Sequence, residues 1–337
     1  MIVGLLFAAY SCGPNGADND EQEPDNQHSD DCRAATVSDW QTGLDDLNSG
    51  ALMSVWGPSE DEVYAVGGQP DEGSLYRFDG QDWQSLDLES GPMLHWVHGD
   101  EDRLWMVGDQ GRILRKQDGD IEDFDAGIDD EIWGVWSAGE DKVWAVGGDA
   151  RDFDGSPVIL FFDGQEWSEQ DLPEIDRDSN ALFKIWGTAE DHVFAVGALG
   201  LILYFDGEDW EQVASGTGED FVSLWGRSED DIVAVGGRSN AVVARFDGES
   251  WQSETLGGTP GLNGVWMDCT GTSHINGIDG YAFYLEPNSF EPNVESTPTS
   301  MVLHSTFGID GGPRFGVGGT LNSSPPYRGV AIDSGTP

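Results

Sequence analysis

The sequence is poor in positive charge. Only 15 of its 337 residues are Lys or Arg, against 64 Asp and Glu, and the net charge is −49 at pH 7. A surface this negative repels phosphate backbones and anionic lipid headgroups, so the composition excludes nucleic acid as a partner. Two interpretations of the acidity stay open: solvation of an exported or salt-adapted protein, and carboxylates that bind Ca²⁺, which prefers oxygen ligands.

The sequence also lacks an apolar run long enough to span a bilayer. The stretch from Ile2 to Ala9 is well short of the roughly 20 residues that a spanning helix needs, and its length is typical of the h-region of an export signal. The run "AAYSC" resembles the bacterial lipobox, which implies that Cys12 carries lipid. We therefore expect a signal segment at 1–12 and a disordered, acidic tether at 13–36.

One repeated phrase dominates the rest of the chain. "LYRFDGQDW" (75–83) returns as "LFFDGQEW", "LYFDGEDW" and "ARFDGESW". A second phrase, "SVWGPSEDEVYAVGG", recurs at steps of about 40 residues, with its aromatic anchor at Trp56, Trp96, Trp136, Trp186, Trp225, Trp266 and Phe307. Each of the seven units contains short apolar runs separated by acidic and glycine-containing turns, which is an all-β pattern.

Four short strands in a period of about 40 residues indicate a β-propeller blade. Asp-Gly between apolar runs predicts a type I′ hairpin with positive φ at both residues. The seventh unit lacks a fourth strand, but "VSDWQTG" (37–43) places Trp40 where the first unit has Trp83. The sequence therefore predicts an all-β, seven-bladed propeller over 37–337, with four antiparallel strands per blade. Its N-terminal strand completes the last blade and removes the open edges.

Three resemblances accompany this pattern. Gly67-Gly68, Tyr76 and Trp83 together resemble the kelch motif, and the "DG..W" turn is similar to the Asp-box of sialidase-like propellers. The whole repeat resembles most the "VWG…DVWAVG…DGxxW" propeller repeats of exported proteins from myxobacteria and their relatives. That resemblance covers residues 37 to 333. It implies the fold and leaves the function open, because propellers host many unrelated activities.

Several residues are candidates for a site. A Glu-Asp pair recurs in the first turn of five units, which favours turn chemistry over a functional acidic ring. The third unit has two long loops that strand alternation puts side by side, and their acidic residues could bind Ca²⁺ or be solvated: Asp149, Asp152, Asp154, Asp176 and Asp178. His95 and His98, on the innermost strand of the second unit, could line the central channel or pack in the core.

The three cysteines predict a covalent closure. Lipid on Cys12 leaves Cys32 and Cys269, and an exported chain meets an oxidising compartment in which such a pair is joined. Cys32 lies just before the closing strand, and Cys269 lies in the first turn of the sixth unit. Both positions fall on the same side of the disc. We therefore predict a Cys32–Cys269 disulfide.

Two functions remain open on the sequence alone. The first is a membrane-anchored, extracytoplasmic binding or scaffold module, monomeric and non-catalytic, that presents one face to a cell-surface protein or glycan. It would belong to an exported bacterial lipoprotein of the outer membrane, the cell surface or the periplasm. The alternative is a polysaccharide hydrolase or lyase that uses carboxylates from the third unit's loops and the channel. Buried carboxylate pairs with raised pKa values would favour the enzyme, and an apolar patch on the face would favour the binding module.

Overall fold

Seven antiparallel sheets of four strands each follow one another along the chain. The structure is a computed structural model, and it describes residues 32–151, 155–176, 178–321 and 324–335. Cys12, the predicted signal segment and most of the predicted tether lie outside the described residues. The innermost strands contact their neighbours in cyclic order, and the last blade meets the first. The predicted seven-bladed propeller is therefore confirmed. Among the described residues, no helix is long and apolar enough to cross a membrane.

The strands are assigned to blades in chain order. The closing strand is β1 (Gln41–Asp46); blade one holds β2 (Ala51–Ser59), β3 (Glu62–Gln69), β4 (Glu72–Phe78) and β5 (Trp83–Leu86); blade two holds β6 (Leu94–Gly99), β7 (Arg103–Gly108), β8 (Ile113–Gln117) and β9 (Asp120–Phe124); blade three holds β10 (Ile132–Gly139), β11 (Lys142–Gly147), β12 (Val158–Phe162) and β13 (Trp167–Glu169). Blade four holds β14 (Leu182–Ala189), β15 (His192–Gly197), β16 (Ile202–Phe205) and β17 (Trp210–Gln212); blade five holds β18 (Phe221–Ser228), β19 (Asp231–Gly236), β20 (Ala241–Phe246) and β21 (Trp251–Leu256). Blade six holds β22 (Leu262–Met267), β23 (Ser273–Gly277), β24 (Ala282–Leu285) and β25 (Asn293–Glu295); blade seven holds β26 (Val302–Gly308), β27 (Arg314–Gly319) and β28 (Gly329–Ser334). Short 3₁₀ turns follow three of the second strands, at Asp109–Gly111, Ala198–Gly200 and Ile278–Gly280.

The N-terminal strand closes the ring, as predicted. β1 pairs antiparallel with β28, so the strand order in blade seven is β1-β28-β27-β26. The hydrogen-bonded strand is Gln41–Asp46 rather than 37–43. Trp40, which immediately precedes the first paired residue of β1, still occupies the place that Trp83 has in blade one.

Further contacts hold the N-terminal segment against blades six and seven. The predicted disulfide between Cys32 and Cys269 is present. The Ala35 N–H donates to Asp268 Oδ2 at 3.1 Å. Arg314 is fully buried, pairs with both carboxylate oxygens of Glu295 at 2.9 Å, and lies over the ring of Trp40. The disulfide, the Ala35 hydrogen bond and the Arg314 contacts thus hold the fourth strand of the last blade in place. This strand comes from the far end of the chain, so no short loop connects it to the third strand.

The Asp-Gly phrase forms a loop of a different type from the one predicted. In blade one the last pair before the loop is Phe78 with Trp83, so four residues lie between the strands. Of the two residues Asp79 and Gly80, only Gly80 has a positive φ, at 92°. Asp79 Oδ1 instead accepts the N–H groups of residues 81 and 82. The aspartate closes the loop through its side chain, so a two-residue type I′ turn is not formed.

This loop also explains the recurring Glu-Asp pairs. A methyl group added at Gly80 would lie 3.2 Å from the Cβ of Asp61, in the first turn of the same blade. The corresponding distance is 2.8 Å from Gly207 to Asp191. The two turns therefore pack together on one face of every well-kept blade, here called the turn face. This packing supports the interpretation of the Glu-Asp pairs as turn chemistry.

The tryptophan after each Asp-Gly loop packs between blades. Trp167 of β13 meets Trp105 of β7 edge to face, with ring centroids 5.5 Å apart. In the same way Trp251 meets Phe194 of the preceding blade, at 5.5 Å. Such edge-to-face pairs add to the free energy gained by burying the rings. The repeated phrase is therefore the element that joins one blade to the previous one.

Candidate functional site

A cavity of about 240 Å³ lies in the central channel. The innermost strand of every blade contributes to its wall the residue at one equivalent position: Met53, His95, Trp133, Phe183, Val222, Asn263 and His304. In each blade this is the residue at which pairing with the second strand shifts register. A bulge turns such a side chain away from the sheet. The seven bulges lie near the start of the innermost strands, on the face opposite the turn face, here called the mouth face.

His95 and Trp133 form a fixed part of the wall. Their rings stack with centroids 4.2 Å apart and an interplanar angle of 5°. His95 Nδ1 lies 3.2 Å from the carbonyl oxygen of Ile132, and Nε2 lies 3.2 Å from Asp109 Oδ1. Trp133 Nε1 donates to the carbonyl oxygen of Gly148 at 3.0 Å. The structure thus places the predicted candidate His95 at the mouth, with acceptors near both ring nitrogens.

The next position along the innermost strand carries an unexpected lysine. Blades one, five and seven have a small residue there, Ser54, Ser223 and Ser305, and two of these serines accept an N–H from the following blade. Blade four has Lys184 instead. Lys184 lines the cavity although its residue is only 4% exposed, and burial holds the pKa of its amine well below the usual value.

Lys184 reaches across blade three to the ring of Trp96. Its Nζ lies over that ring, and Trp96 occupies the same strand position in blade two. Gly134 lies between them in blade three. A methyl group added there would lie 3.2 Å from the Cα of Lys184. The absence of a side chain at Gly134 is what allows the lysine and the tryptophan to meet.

Blade two is aligned differently from the sequence-based prediction. The residue paired like Trp56 is His98, which lies opposite Trp105, and not Trp96. The reason is a shorter first turn, which Asp100 closes by accepting the N–H groups of Asp102 and Arg103. Moving the anchor by two residues brings Trp96 to the serine position and into the cavity wall.

His98 therefore belongs to a second layer of channel side chains, which lies about 10 Å along the strands from the layer that contains His95. Its ring lies 5.5 Å from that of Trp56, and its Nδ1 accepts the N–H of Ser137. Trp225 and Phe307 also meet in this layer, with centroids 5.9 Å apart. Burial lowers the pKa of His98 to about 4. The structure places this predicted candidate below the cavity, among aromatic rings.

The predicted acidic loops of blade three come together as expected from strand alternation. Asn180 Nδ2 donates to the carbonyl oxygen of Asp149 at 3.0 Å. Asp149 and Asp176 nevertheless line two different hollows on the mouth face. Asp178 is described as well, whereas Asp152 and Asp154 lie outside the described residues. Within the described part of the chain no group of three or more His, Cys, Asp or Glu is arranged to hold a metal ion. The Ca²⁺ site stays a prediction.

Sequence reasoning missed Lys184, Trp96 and His304 as parts of one site. The signal was available for Lys184, since "LFKIWG" puts a charged residue two positions before Trp186, where five other blades have Ser or Gly. His304 gave no such signal. In the structure its Nε2 is buried without a hydrogen-bond partner among the described residues, and burial lowers the pKa of its ring to about 4.

Comparisons with known proteins identify the fold. No protein-family model matches the chain, and no curated protein matches it. A solved structure of YCF48 bound to D1 peptide superposes with a TM-score of 0.65 at 13% identity, covering 91% of this chain and 100% of that one. The WD40 propeller domain of Doa1 gives 0.68 at 12% identity, covering 88% and 97%. The extracellular domain of a hybrid two-component system from B. thetaiotaomicron gives 0.62 at 10%, covering 89% of this chain and 42% of that one. At these identities the likeness shows a β-propeller and nothing finer.

Proposed function

We propose that this propeller is a non-catalytic binding module that holds a protein partner at the mouth of its central channel. The observation that carries the proposal is the channel wall. Met53, Trp133, Phe183 and Val222 are all partly exposed around one cavity, and apolar walls with a few polar groups are typical of binding sites. In the YCF48 structure a propeller is bound to a peptide, which supports a protein partner here.

A binding role fits the described channel better than the enzymatic alternative. A hydrolase or lyase would need carboxylates at the reacting bond. Among the described residues that line the cavity, none is Asp or Glu. The polar groups there are His95, Lys184, Asn263 and His304. We therefore favour binding.

The proposal includes export and a lipid anchor at Cys12, on the strength of the lipobox-like "AAYSC". The propeller itself begins at Arg33, which packs against Gly311 in the first turn of blade seven, on the turn face. An anchor that continues from this face would leave the mouth face directed away from the membrane and accessible to a partner. Labelling the protein with radioactive palmitate, with Cys12→Ala as the control, tests the anchor; an unlabelled wild type would refute it.

Site-specific photocrosslinking tests the partner. Phe183 is replaced by p-benzoylphenylalanine in cells that make the full chain, and Val294, which is 59% exposed on β25 of blade six, is replaced in a matched control. We expect a discrete protein adduct from position 183 and none from position 294. Trp133→Ala should reduce the yield of that adduct at least tenfold. Equal adducts from both positions, or a glycan bound without any protein adduct, would contradict the proposal.

A further inference from the structure

Lys184 is an anomaly in the charge distribution of this protein. The chain has 64 acidic and 15 basic residues, and eleven other basic side chains of the described residues pair with a carboxylate or lie against an aromatic ring. Lys184 is more than nine-tenths buried, and this burial lowers the pKa of its amine. No carboxylate among the described residues counteracts that shift. A buried amine without a counter-charge is costly to the fold.

The surroundings of the amine suit a ligand. Trp96 covers one side of it, and Trp133 and Phe183 add apolar wall to the same cavity. His95, Asn263 and His304 supply the remaining polar groups, and His304 Nε2 is buried without a partner among the described residues. One space of about 240 Å³ is therefore lined both by a lysine that has no counter-charge among the described residues and by a histidine with an unsatisfied ring nitrogen. Buried polar groups of this kind are normally satisfied.

We propose that the channel cavity binds a carboxylate carried on an aromatic or aliphatic group, with Lys184 as its counter-ion. The apolar part of the ligand packs on Trp133 and Phe183. The carboxylate supplies the negative charge that the fold leaves out beside Lys184. A single lysine balances one negative charge, whereas a phosphate dianion would bring an uncompensated charge into a site of low dielectric constant. This inference rests on the proposed function only in placing the ligand in the channel.

We expect Lys184 to take up a proton when the carboxylate binds. Burial keeps the amine of the free protein at a lowered pKa, and a carboxylate beside it favours the charged form. The other titratable groups near the cavity are His95, with Asp109 beside it, His98 and His304. Burial lowers the pKa of both His98 and His304 to about 4. Neither of those two rings takes up a proton near pH 8, and loss of the uptake in Lys184→Met assigns it to Lys184 rather than to His95.

Isothermal titration calorimetry of the full chain tests the inference. The probes are phenylacetate, its neutral analogue phenylacetamide, and a pentapeptide ending in Phe either as the free acid or as the amide. Titrations are run at pH 8 in 0.15 M NaCl, which screens the long-range repulsion of the acidic surface, and in two buffers of different ionisation enthalpy. We expect at least tenfold tighter binding of each acid that enters the cavity than of its amide, together with net proton uptake. Binding of phenylacetate but not of the peptide acid would indicate that the ligand is a free small acid. Binding of the peptide acid but not of phenylacetate would indicate that the ligand is the C-terminus of a polypeptide.

Variants separate charge from packing. Lys184→Met keeps an apolar chain against Trp96 but removes the amine, and it should lose at least tenfold in affinity and all proton uptake. Lys142→Met, at a surface lysine paired with Glu190, is the matched control and should bind like wild type. Amides that bind as tightly as the acids, or binding without proton uptake, would overturn the inference. Both readouts use the wild type, so they hold even if Lys184→Met fails to fold. A protein adduct at position 183 without acid binding would overturn this inference alone.

Discussion

Each blade contributes one residue to its outer edge, at the start of the fourth strand, and one to the channel wall, at the bulge of the first strand. At the outer edge five blades use the same residue in the same place: Trp40, Trp83, Trp167, Trp210 and Trp251. At the channel wall the seven positions carry six different residue types. Both sets lie on equivalent points of equivalent strands.

The difference separates the two tasks of a repeat protein. Trp83, Trp167 and Trp251 each meet an aromatic ring on the second strand of the preceding blade, so the same contact recurs around the ring. The channel residues do not pack against an identical neighbour; together they enclose one space. Identical residues therefore serve the contact between blades, and different residues shape a cavity that occurs once. The following changes are ordered from the largest expected effect to the smallest.

Trp167→Ala at the outer edge should destabilise the protein far more than Trp133→Ala at the channel. Trp167 is buried against Trp105 and Phe162, and loss of such a ring costs about 3–5 kcal/mol. Trp133 is partly exposed at the mouth, and its loss should cost about 1 kcal/mol. Urea unfolding followed by far-UV circular dichroism measures both. Equal losses of unfolding free energy in the two variants would contradict the different roles assigned to the outer edge and the channel wall.

Cys269→Ser tests the edge that departs from the repeat. Blade seven takes its fourth strand from the N-terminus, and the Cys32–Cys269 bond restrains that strand. Removal of a native disulfide that closes a long loop costs about 2–4 kcal/mol. We expect a correspondingly lower melting temperature under non-reducing conditions and none of this difference when both proteins are melted in reducing agent. If the variant melts at the same temperature as the oxidised wild type, the pairing of β1 with β28 is sufficient to close the ring.

Gly207→Ala tests the loop that turns the chain into an outer-edge strand. Gly207 has a φ of 97°, and an added methyl group would lie 2.8 Å from the Cβ of Asp191. A residue with a side chain held in this region costs about 1–3 kcal/mol. Gly257→Ala is the control, because a methyl group there meets no atom within 4 Å. Thermal melts should show a lower melting temperature for Gly207→Ala and an unchanged one for Gly257→Ala. The reverse order of melting temperatures would contradict the packing of the two turns.

The outer edge could be predicted from the sequence, and the channel could not. The phrase that recurs around Trp56 was sufficient for seven blades, and the "DG..W" spacing with the position of Trp40 was sufficient for the closing strand, because repeated contacts leave repeated letters. The turn type was wrong because the side chain of Asp79 forms hydrogen bonds that composition does not reveal. Lys184 and Trp96 come together only through Gly134 of the blade between them, and no local spacing encodes a contact across a blade. His98 was placed in the right strand, but the shorter turn at Asp100 hid its equivalence to Trp56.

The smallest expected effect is a pH dependence that belongs to the channel alone. Burial lowers the pKa of His98 and of His304 from 6.5 to about 4, so between these values the unfolded chain binds more protons than the folded one. The stability from these neutral rings is fully present above pH 6.5 and is lost as the pH falls towards 4.

A double variant with residues found at equivalent positions in other blades, His98→Trp and His304→Met, measures this contribution. Protonation of His98 would also remove the acceptor of the Ser137 N–H. Because both rings are partly exposed, we expect each to account for about 1 kcal/mol of the loss between pH 7 and pH 5. The surface carboxylates titrate alike in both proteins, so the difference between the two pH profiles isolates the histidines. If the melting temperatures of wild type and double variant fall in parallel from pH 7 to pH 5, the channel histidines do not govern stability in acid. The channel would then differ from the outer edge in shape but not in electrostatics.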